Sequence, residues 1–234
     1  MTPVLEAAGL RRVFLGGDGE PIEVLSGVDL SVARGDFVAV MGASGAGKST
    51  LLQILGALDA PTEGTVRLDG QAYDSLSEPE LAALRNRQIG FVFQFHHLLR
   101  EFSALENVMM PMLIAGRDET AARDRARTLL DAIGLRARLG HRPAQLSGGE
   151  QQRVAVARAL AMDPVLVLAD EPSGNLDYAH AEQLHDLFAL LAREFETALV
   201  VVTHNRQLAG RADRILSMES GRLVPHPGWE AMPS

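Results

Sequence analysis

Short, almost unbroken apolar runs punctuate the chain, with stretches of helical period between them. Residues 37–41, 89–93, 165–169 and 198–202 are built almost wholly from Phe, Val, Ile, Leu, Ala, Met and Gly. Runs of that length, alternating with helices, predict strands of a parallel sheet covered on both faces. Helical period appears after residue 50, over 78–87, over 118–133 and over 179–195. Ser103-Ala104-Leu105-Glu106 forms a capping box that opens another helix, whose apolar set is Leu105, Val108, Met109, Met112 and Leu113. Met109, Met110 and Met112 are therefore expected as core or interface filler.

Ahead of the first run, residues 4–14 and 23–32 are β-prone and flank a turn-rich loop at 15–21. Residues 59–64 break the chain, and 65–68 read as a strand entering the tight turn Asp69-Gly70. The predicted class is α/β: a mainly parallel core sheet, an N-terminal antiparallel β part, and a helical subdomain at about 95–162 inserted in the core. Residues 1–224 are expected to form one domain, and 225–234, with three prolines, a loosely held tail.

Ligands of such sheets collect at the carboxyl ends of the strands. The run at 37–41 leads into Gly42-Ala43-Ser44-Gly45-Ala46-Gly47-Lys48-Ser49-Thr50, the spacing of a phosphate-binding loop. Glycines let backbone N–H groups approach an anion, and the helix that follows presents its free N–H groups and positive dipole end to the same anion. Lys48 is placed to reach the β- and γ-phosphates of ATP, and the Ser49 hydroxyl to ligate Mg²⁺. Lys48 is also the only lysine among 22 Lys and Arg residues. A compact ammonium is kept where a planar guanidinium does not substitute.

Other runs deliver polar groups to the same edge: Gln94, Asp170 with Glu171, and His204. Asp170 stands where such a site needs a carboxylate for Mg²⁺. Glu171 can polarise a water as general base, Gln94 offers an amide near metal and water, and His204 can bond the γ-phosphate. A second glycine motif, Leu146-Ser147-Gly148-Gly149-Glu150-Gln151-Gln152-Arg153, opens the helix at 154–162. The chain thus carries two anion-cradling helix starts and one lysine-bearing loop. Two copies placed head to tail, each lending Ser147, Gly148, Gly149 and Gln151 to its twin's nucleotide, would make ATP the glue of a dimer.

Composition narrows the partners. Net charge is −8, against a broad basic surface for nucleic acid. There are no cysteines, so disulfides and thiolate chemistry are excluded. The N-terminus has no signal-peptide pattern, and no apolar run approaches the ~20 residues that span a bilayer. Membrane association is expected through a partner.

These motifs, in this order, resemble those of ATP-binding subunits of ABC transporters: the glycine loop at 42–50, Gln94, the signature at 146–153, Glu171, the loop Ser173-Gly174-Asn175-Leu176-Asp177, and the switch His204. Residues 93–108, from Phe93-Gln94-Phe95-His96-His97 to Asn107-Val108, resemble more narrowly the ATP-binding subunit of lipoprotein-releasing systems. The resemblance implies an ATPase dimer on a pair of permease subunits at the cytoplasmic face of the inner membrane, releasing lipoproteins toward the outer membrane. It implies adenine stacking on Phe14, where the family often has tyrosine. Arg100, Ser173 and Asn205 depart from the usual proline, threonine and aspartate. Phe95, His96, His97, Leu98 and Leu99 are expected to form a groove for a permease helix. Macrolide-exporter or cell-division-type ATPases share nearly every motif, leaving residues 95–108 to discriminate. A soluble repair or translation ATPase would carry a coiled-coil insertion or tandem halves, which the chain lacks. A silent regulatory subunit would not keep Lys48, Glu171 and His204.

Overall fold

The computed structural model describes residues 3–226, less the side chains of four residues between 191 and 195. Two sheets carry the fold. Strands β1 (Leu5–Leu15), β2 (Pro21–Val32), β4 (Glu63–Leu68) and β5 (Gln71–Ala72) form an antiparallel sheet in the order β2-β1-β4-β5. The second sheet contains β3 (Phe37–Met41), β6 (Ile89–Phe93), β7 (Leu166–Asp170), β8 (Ala198–Val202), β9 (Arg214–Glu219) and β10 (Arg222–Pro225), in the order β10-β9-β3-β8-β7-β6. It is parallel except for the β9–β10 hairpin.

Period-two alternation divides the parallel strands between two cores. Val38, Val40, Leu166, Leu168, Val200 and Val202 face α1 (Lys48–Leu55) and the antiparallel sheet. Phe37, Ala39, Val167, Ala169, Leu199 and Val201 face α5 (Gly148–Ala159) and α6 (Tyr178–Phe195), including Leu184 and Phe188. Both faces are dry, which is why these strands read as continuous apolar runs. Each fully buried Val, Leu or Phe there contributes ~1.5–3 kcal/mol of burial free energy.

Between β6 and β7 the chain builds a third core from α3 (Ala104–Ile114), α4 (Glu119–Ala132) and the far face of α5. The expected capping box is present: Ser103 accepts from the Glu106 N–H at 3.3 Å, and Glu106 Oε2 accepts from the Ser103 N–H at 2.8 Å. Met109 and Met112 are buried. Between α1 and β6 lies α2 (Glu78–Gln88), and after β8 a short α7 (Arg206–Ala209).

Three sequence expectations differ from this fold. Residues 95–103 are not helical but form an irregular segment ahead of α3. Glu63 and Gly64 belong to β4 instead of ending the break before it. Strands β9 and β10 were not anticipated, and the latter takes in the start of the expected tail: Pro225 pairs with Leu216, and the His226 N–H donates to Ile215 O at 3.2 Å. Residues 227–234 lie outside the described residues.

Candidate active site

Strand order sets out the site. Reading across β3, β8, β7 and β6, the carboxyl ends present the glycine loop, Thr203-His204, Asp170-Glu171 and Gln94 in turn. All of these but the buried Thr203 contribute to the lining of one cleft of about 780 Å³, within the usual range for small-molecule sites. The glycine loop is shaped by close approach. Gly47 has φ +99°, and a Cβ there would lie 2.8 Å from Val24 O. At Gly42 a Cβ would lie 2.8 Å from Met218 O. Lys48 folds back across the loop, donating from Nζ to Gly42 O at 2.9 Å and Ala43 O at 2.8 Å. These carbonyls hold the ammonium over the cradle.

Burial pushes the Asp170 carboxyl above its ordinary pKa, and the charge of Glu171 adds to this, while a hydrogen bond from Ser49 and the charge of Lys48 oppose it. A hydroxyl and a half-buried carboxylate suit Mg²⁺, which takes one or two protein oxygens and completes its shell with phosphate and water. No cluster of three or more His, Cys, Asp or Glu residues able to hold a metal occurs among the described residues, as such a site requires none.

Glu171 is locked in place. Its backbone has φ +44°, an unfavourable region for a side chain of this kind. Its Oε1 accepts from His204 Nδ1 at 2.8 Å and from the His204 N–H at 3.0 Å, and its Oε2 accepts from the buried Thr203 hydroxyl at 3.0 Å. A carboxylate only accepts, so the His204 proton sits on Nδ1. The imidazole is largely exposed to the cleft, its side chain 74% accessible.

Other anticipated residues sit differently. Gln94 lines the cleft, but its Nε2 donates to Asn175 Oδ1 at 3.3 Å, and Asn175 Nδ2 donates back to Gln94 O at 3.0 Å. Phe14 lies on β1 outside the cleft lining, with the Arg12 guanidinium 4.5 Å from its ring centroid. Arg12 is pinned there by Asp59 at 2.8 Å. Ser147 is the N-cap of α5, accepting from the Glu150 N–H at 3.2 Å. Gln151 turns inward and donates to Pro143 O and Leu146 O at 3.0 and 3.1 Å. It braces the signature loop instead of facing outward. Ser147, Gly148 and Gly149 are outside the cleft lining, so one chain does not bring the two glycine motifs together.

The segment 95–99 does not form the expected groove. Phe95, His97 and Leu99 are exposed, but His96 is drawn to Gln152 and Leu98 packs on the helical core. A groove of about 360 Å³ lies beside it instead, lined by Leu58, Phe91, Pro111, Ile114, Arg158 and Met162 among others. Sequence reading passed over three polar residues that organise this region. Asn107, fully buried, accepts from the Leu99 N–H at 2.8 Å and donates to Leu99 O, Phe102 O and Ser103 O at 2.9–3.1 Å. Gln152 and Arg158 hold residues 93–97. Asn107 carried a signal, an amide inside the largely apolar α3, whereas Gln152 and Arg158 stand among other polar residues of α5.

A glycine-cradled lysine, a hydroxyl–carboxylate pair and a held glutamate at the edge of a doubly covered parallel sheet define a P-loop nucleotide-binding protein. Comparison with known proteins carries this further: residues 25–174 match the ABC transporter family, and the chain belongs to it. It is 56% identical over 223 residues to the lipoprotein-releasing system ATP-binding protein LolD of Bordetella pertussis (strain Tohama I), covering 95% of this chain and 96% of that one. It is 51% identical over 224 residues to the protein of the same name from Aquifex aeolicus, covering 96% and 97%. The fold is also that of the ATP-binding cassette MJ0796, solved as a dimer in a post-hydrolysis state with ADP and Pi: TM-score 0.86 and 39% identity, covering 94% of this chain and 96% of that one.

Proposed function

We propose that this protein is the ATP-hydrolysing subunit of an ABC transporter at the cytoplasmic face of the inner membrane, and that the transporter releases lipoproteins toward the outer membrane. The cleft carries the enzymatic reading, since a phosphate cradle, a metal-binding pair and a general base meet in one place. Likeness over nearly the whole chain to lipoprotein-releasing relatives supports the cargo. No helix among the described residues is long and apolar enough to cross a membrane, consistent with attachment through permease subunits.

In this reading the N–H groups of residues 43–50 and Lys48 hold the triphosphate, the ammonium exchanging the carbonyls of Gly42 and Ala43 for phosphate oxygens. Ser49 and Asp170, with Gln94 beside them, would hold a Mg²⁺ ion, which would supply positive charge against that developing on the triphosphate. Glu171 takes the proton of the attacking water. Thr203 and His204 fix its carboxylate, and His204 also reaches the γ-phosphate. Phe14 offers adenine the face that Arg12 leaves open. The absence of Ser147, Gly148 and Gly149 from the cleft lining fits a site completed by a second copy. Phe95, Leu99 and the adjacent groove form the side that meets the permease.

Glu171→Gln is the test. Turnover should fall ~10²–10⁴-fold, about 3–5 kcal/mol of barrier, while an ATP-bound dimer accumulates. Unchanged turnover removes Glu171 from the base role. Affinity purification from membranes, followed by reconstitution of the captured complex in liposomes, tests the cargo. ATP should drive release of an acylated protein into solution, and capture of no polytopic protein overturns the transporter reading.

A further inference from the structure

Helix α5 belongs to two cores at once. Val156 and Ala159 pack on the six-stranded sheet, while Val154 and Ala157 pack among α3 and α4. Its first turn carries the signature tip, Ser147 to Gly149. Two of its polar side chains reach neither core and grip the segment that follows β6. The Oε1 of Gln152, fully buried, meets His96 Nδ1, and its Nε2 donates to Phe93 O at 3.4 Å. The Arg158 fork donates to His97 O at 2.7 Å and His96 O at 2.9 Å. Those three carbonyls lie on both sides of Gln94.

The grip has something to hold. His97 has φ +48°, a conformation that costs a non-glycine residue energy and persists only when its surroundings impose it. A guanidinium satisfying two carbonyls imposes it, and does so with a planar fork that lysine does not reproduce. Arg158 also lines the groove beside Pro111, Ile114 and Met162. On its far side, Gln94 is paired reciprocally with Asn175.

We propose that Gln152 and Arg158 are positioning residues: they fasten the glutamine segment to the signature helix and thereby set where Gln94 stands in the cleft. This rests on the reading of Gln94 as a cleft residue given above. Neither side chain touches nucleotide; both act through the backbone around Gln94. A merely structural brace would lower stability and scatter its effect over every kinetic constant. A positioning residue loses its influence once Gln94 is gone.

A double-mutant cycle in the intact transporter complex separates the two. kcat and KM for ATP are measured for Gln152→Ala, Arg158→Lys, Gln94→Ala, and for each of the first two combined with Gln94→Ala. Melting temperatures are read in parallel. Each single variant at Gln152 or Arg158 should lower kcat about tenfold, the factor of one lost hydrogen bond to a charged or buried group, with KM within about twofold. Both double variants should turn over no more slowly than Gln94→Ala alone. Arg158→Lys keeps the stem and the charge, so it carries the test if Gln152→Ala melts below the assay temperature. Losses that multiply in the doubles, or a raised KM with kcat unchanged, overturn the inference and leave the role of Gln94 standing. Full turnover in Gln94→Ala overturns both.

Discussion

Two adjacent glycines in the signature, Gly148 and Gly149, are needed for different reasons, and substitution by alanine separates them. Both have helical backbones, so strain from a positive φ plays no part. A Cβ on Gly149 would lie 2.7 Å from His180 Cδ2, 2.9 Å from Cγ and 3.2 Å from Cβ. Ordinary carbon contacts are ~3.5–4.0 Å. Rotating the imidazole about χ1 clears the ring atoms, but not the crowded Cβ, and it breaks the contact of Nδ1 with the Asp177 carboxylate at 2.7 Å. That pair is well exposed, so its loss weighs little beside the overpacking. Overpacking adds ~1–3 kcal/mol, and the better helix propensity of alanine returns up to ~1 kcal/mol. Gly149→Ala should therefore cost about 1–2 kcal/mol, a Tm lower by roughly 2–8 °C for a chain of this size. His180→Ala in the same background removes the ring and should recover the part of the loss that the ring causes, leaving the 3.2 Å contact with Cβ.

Gly148 has no described atom within 4 Å of its would-be Cβ. Gly148→Ala should leave the Tm of the single chain unchanged or slightly raised; under the proposed shared site it should abolish ATP-driven dimerisation and turnover, because the methyl group would then stand where the partner's triphosphate approaches the backbone. Differential scanning fluorimetry, size-exclusion chromatography with ATP, and phosphate release read the three quantities. Full turnover in Gly148→Ala would refute the shared-site geometry. A Gly149→Ala/His180→Ala double that melts as low as Gly149→Ala would refute the packing argument.

Three further outcomes follow from the same structure. Asp170 has a raised pKa, so its contribution favours the fold below the unfolded carboxylate range, near 3.9, and is lost as pH rises through the folded value. Asp170→Asn should therefore melt higher than the parent at pH 7 without nucleotide, with the gap closing toward pH ~4, and should lose the stabilisation given by Mg²⁺ and ATP. Glu106 and Glu150 are held below their ordinary values by the bonds of their capping boxes, Glu106 foremost by the Ser103 hydroxyl and Glu150 by the Ser147 N–H. Their stabilisation is present above the ordinary carboxylate range, ~4.3, and fades as pH falls below it, so Glu150→Gln should flatten the acid limb of a Tm-against-pH curve. Gly90→Ala places a Cβ 2.5 Å from Ala159 O, a backbone atom that cannot rotate away. It should cost at least ~1–3 kcal/mol and lower the Tm whether or not nucleotide is bound.

Much of this architecture was readable from local pattern. The strands at Phe37–Met41, Ile89–Phe93 and Ala198–Val202 fall on the predicted residues, because a strand buried on both faces must be apolar at every position. Strand β9 escaped notice for the opposite reason. Arg214 and Ser217 interrupt its apolar residues, and it is a strand because β3 offers it an edge, Val38 against Arg214 and Met41 against Ser217. The glycine loop and the capping box at Ser103 were equally legible, since each is made by residues within a few positions of one another, whereas the box that Ser147 forms with Glu150 was not read.

What the sequence determined by itself was the set of short-range devices: the phosphate cradle, the helix starts, the apolar strands and hence the edge at which ligands gather. Only the tertiary structure decided where side chains of mixed character point. Gln151 turns under the signature loop, Gln94 pairs with Asn175, and His96 and Leu98 turn inward while Phe95 and Leu99 stay outside. The physical reason is range. A cradle or a cap is completed by neighbours along the chain, whereas an amide or an imidazole takes whichever partner the packing of distant helices brings within 3 Å, and no local pattern records which one that is.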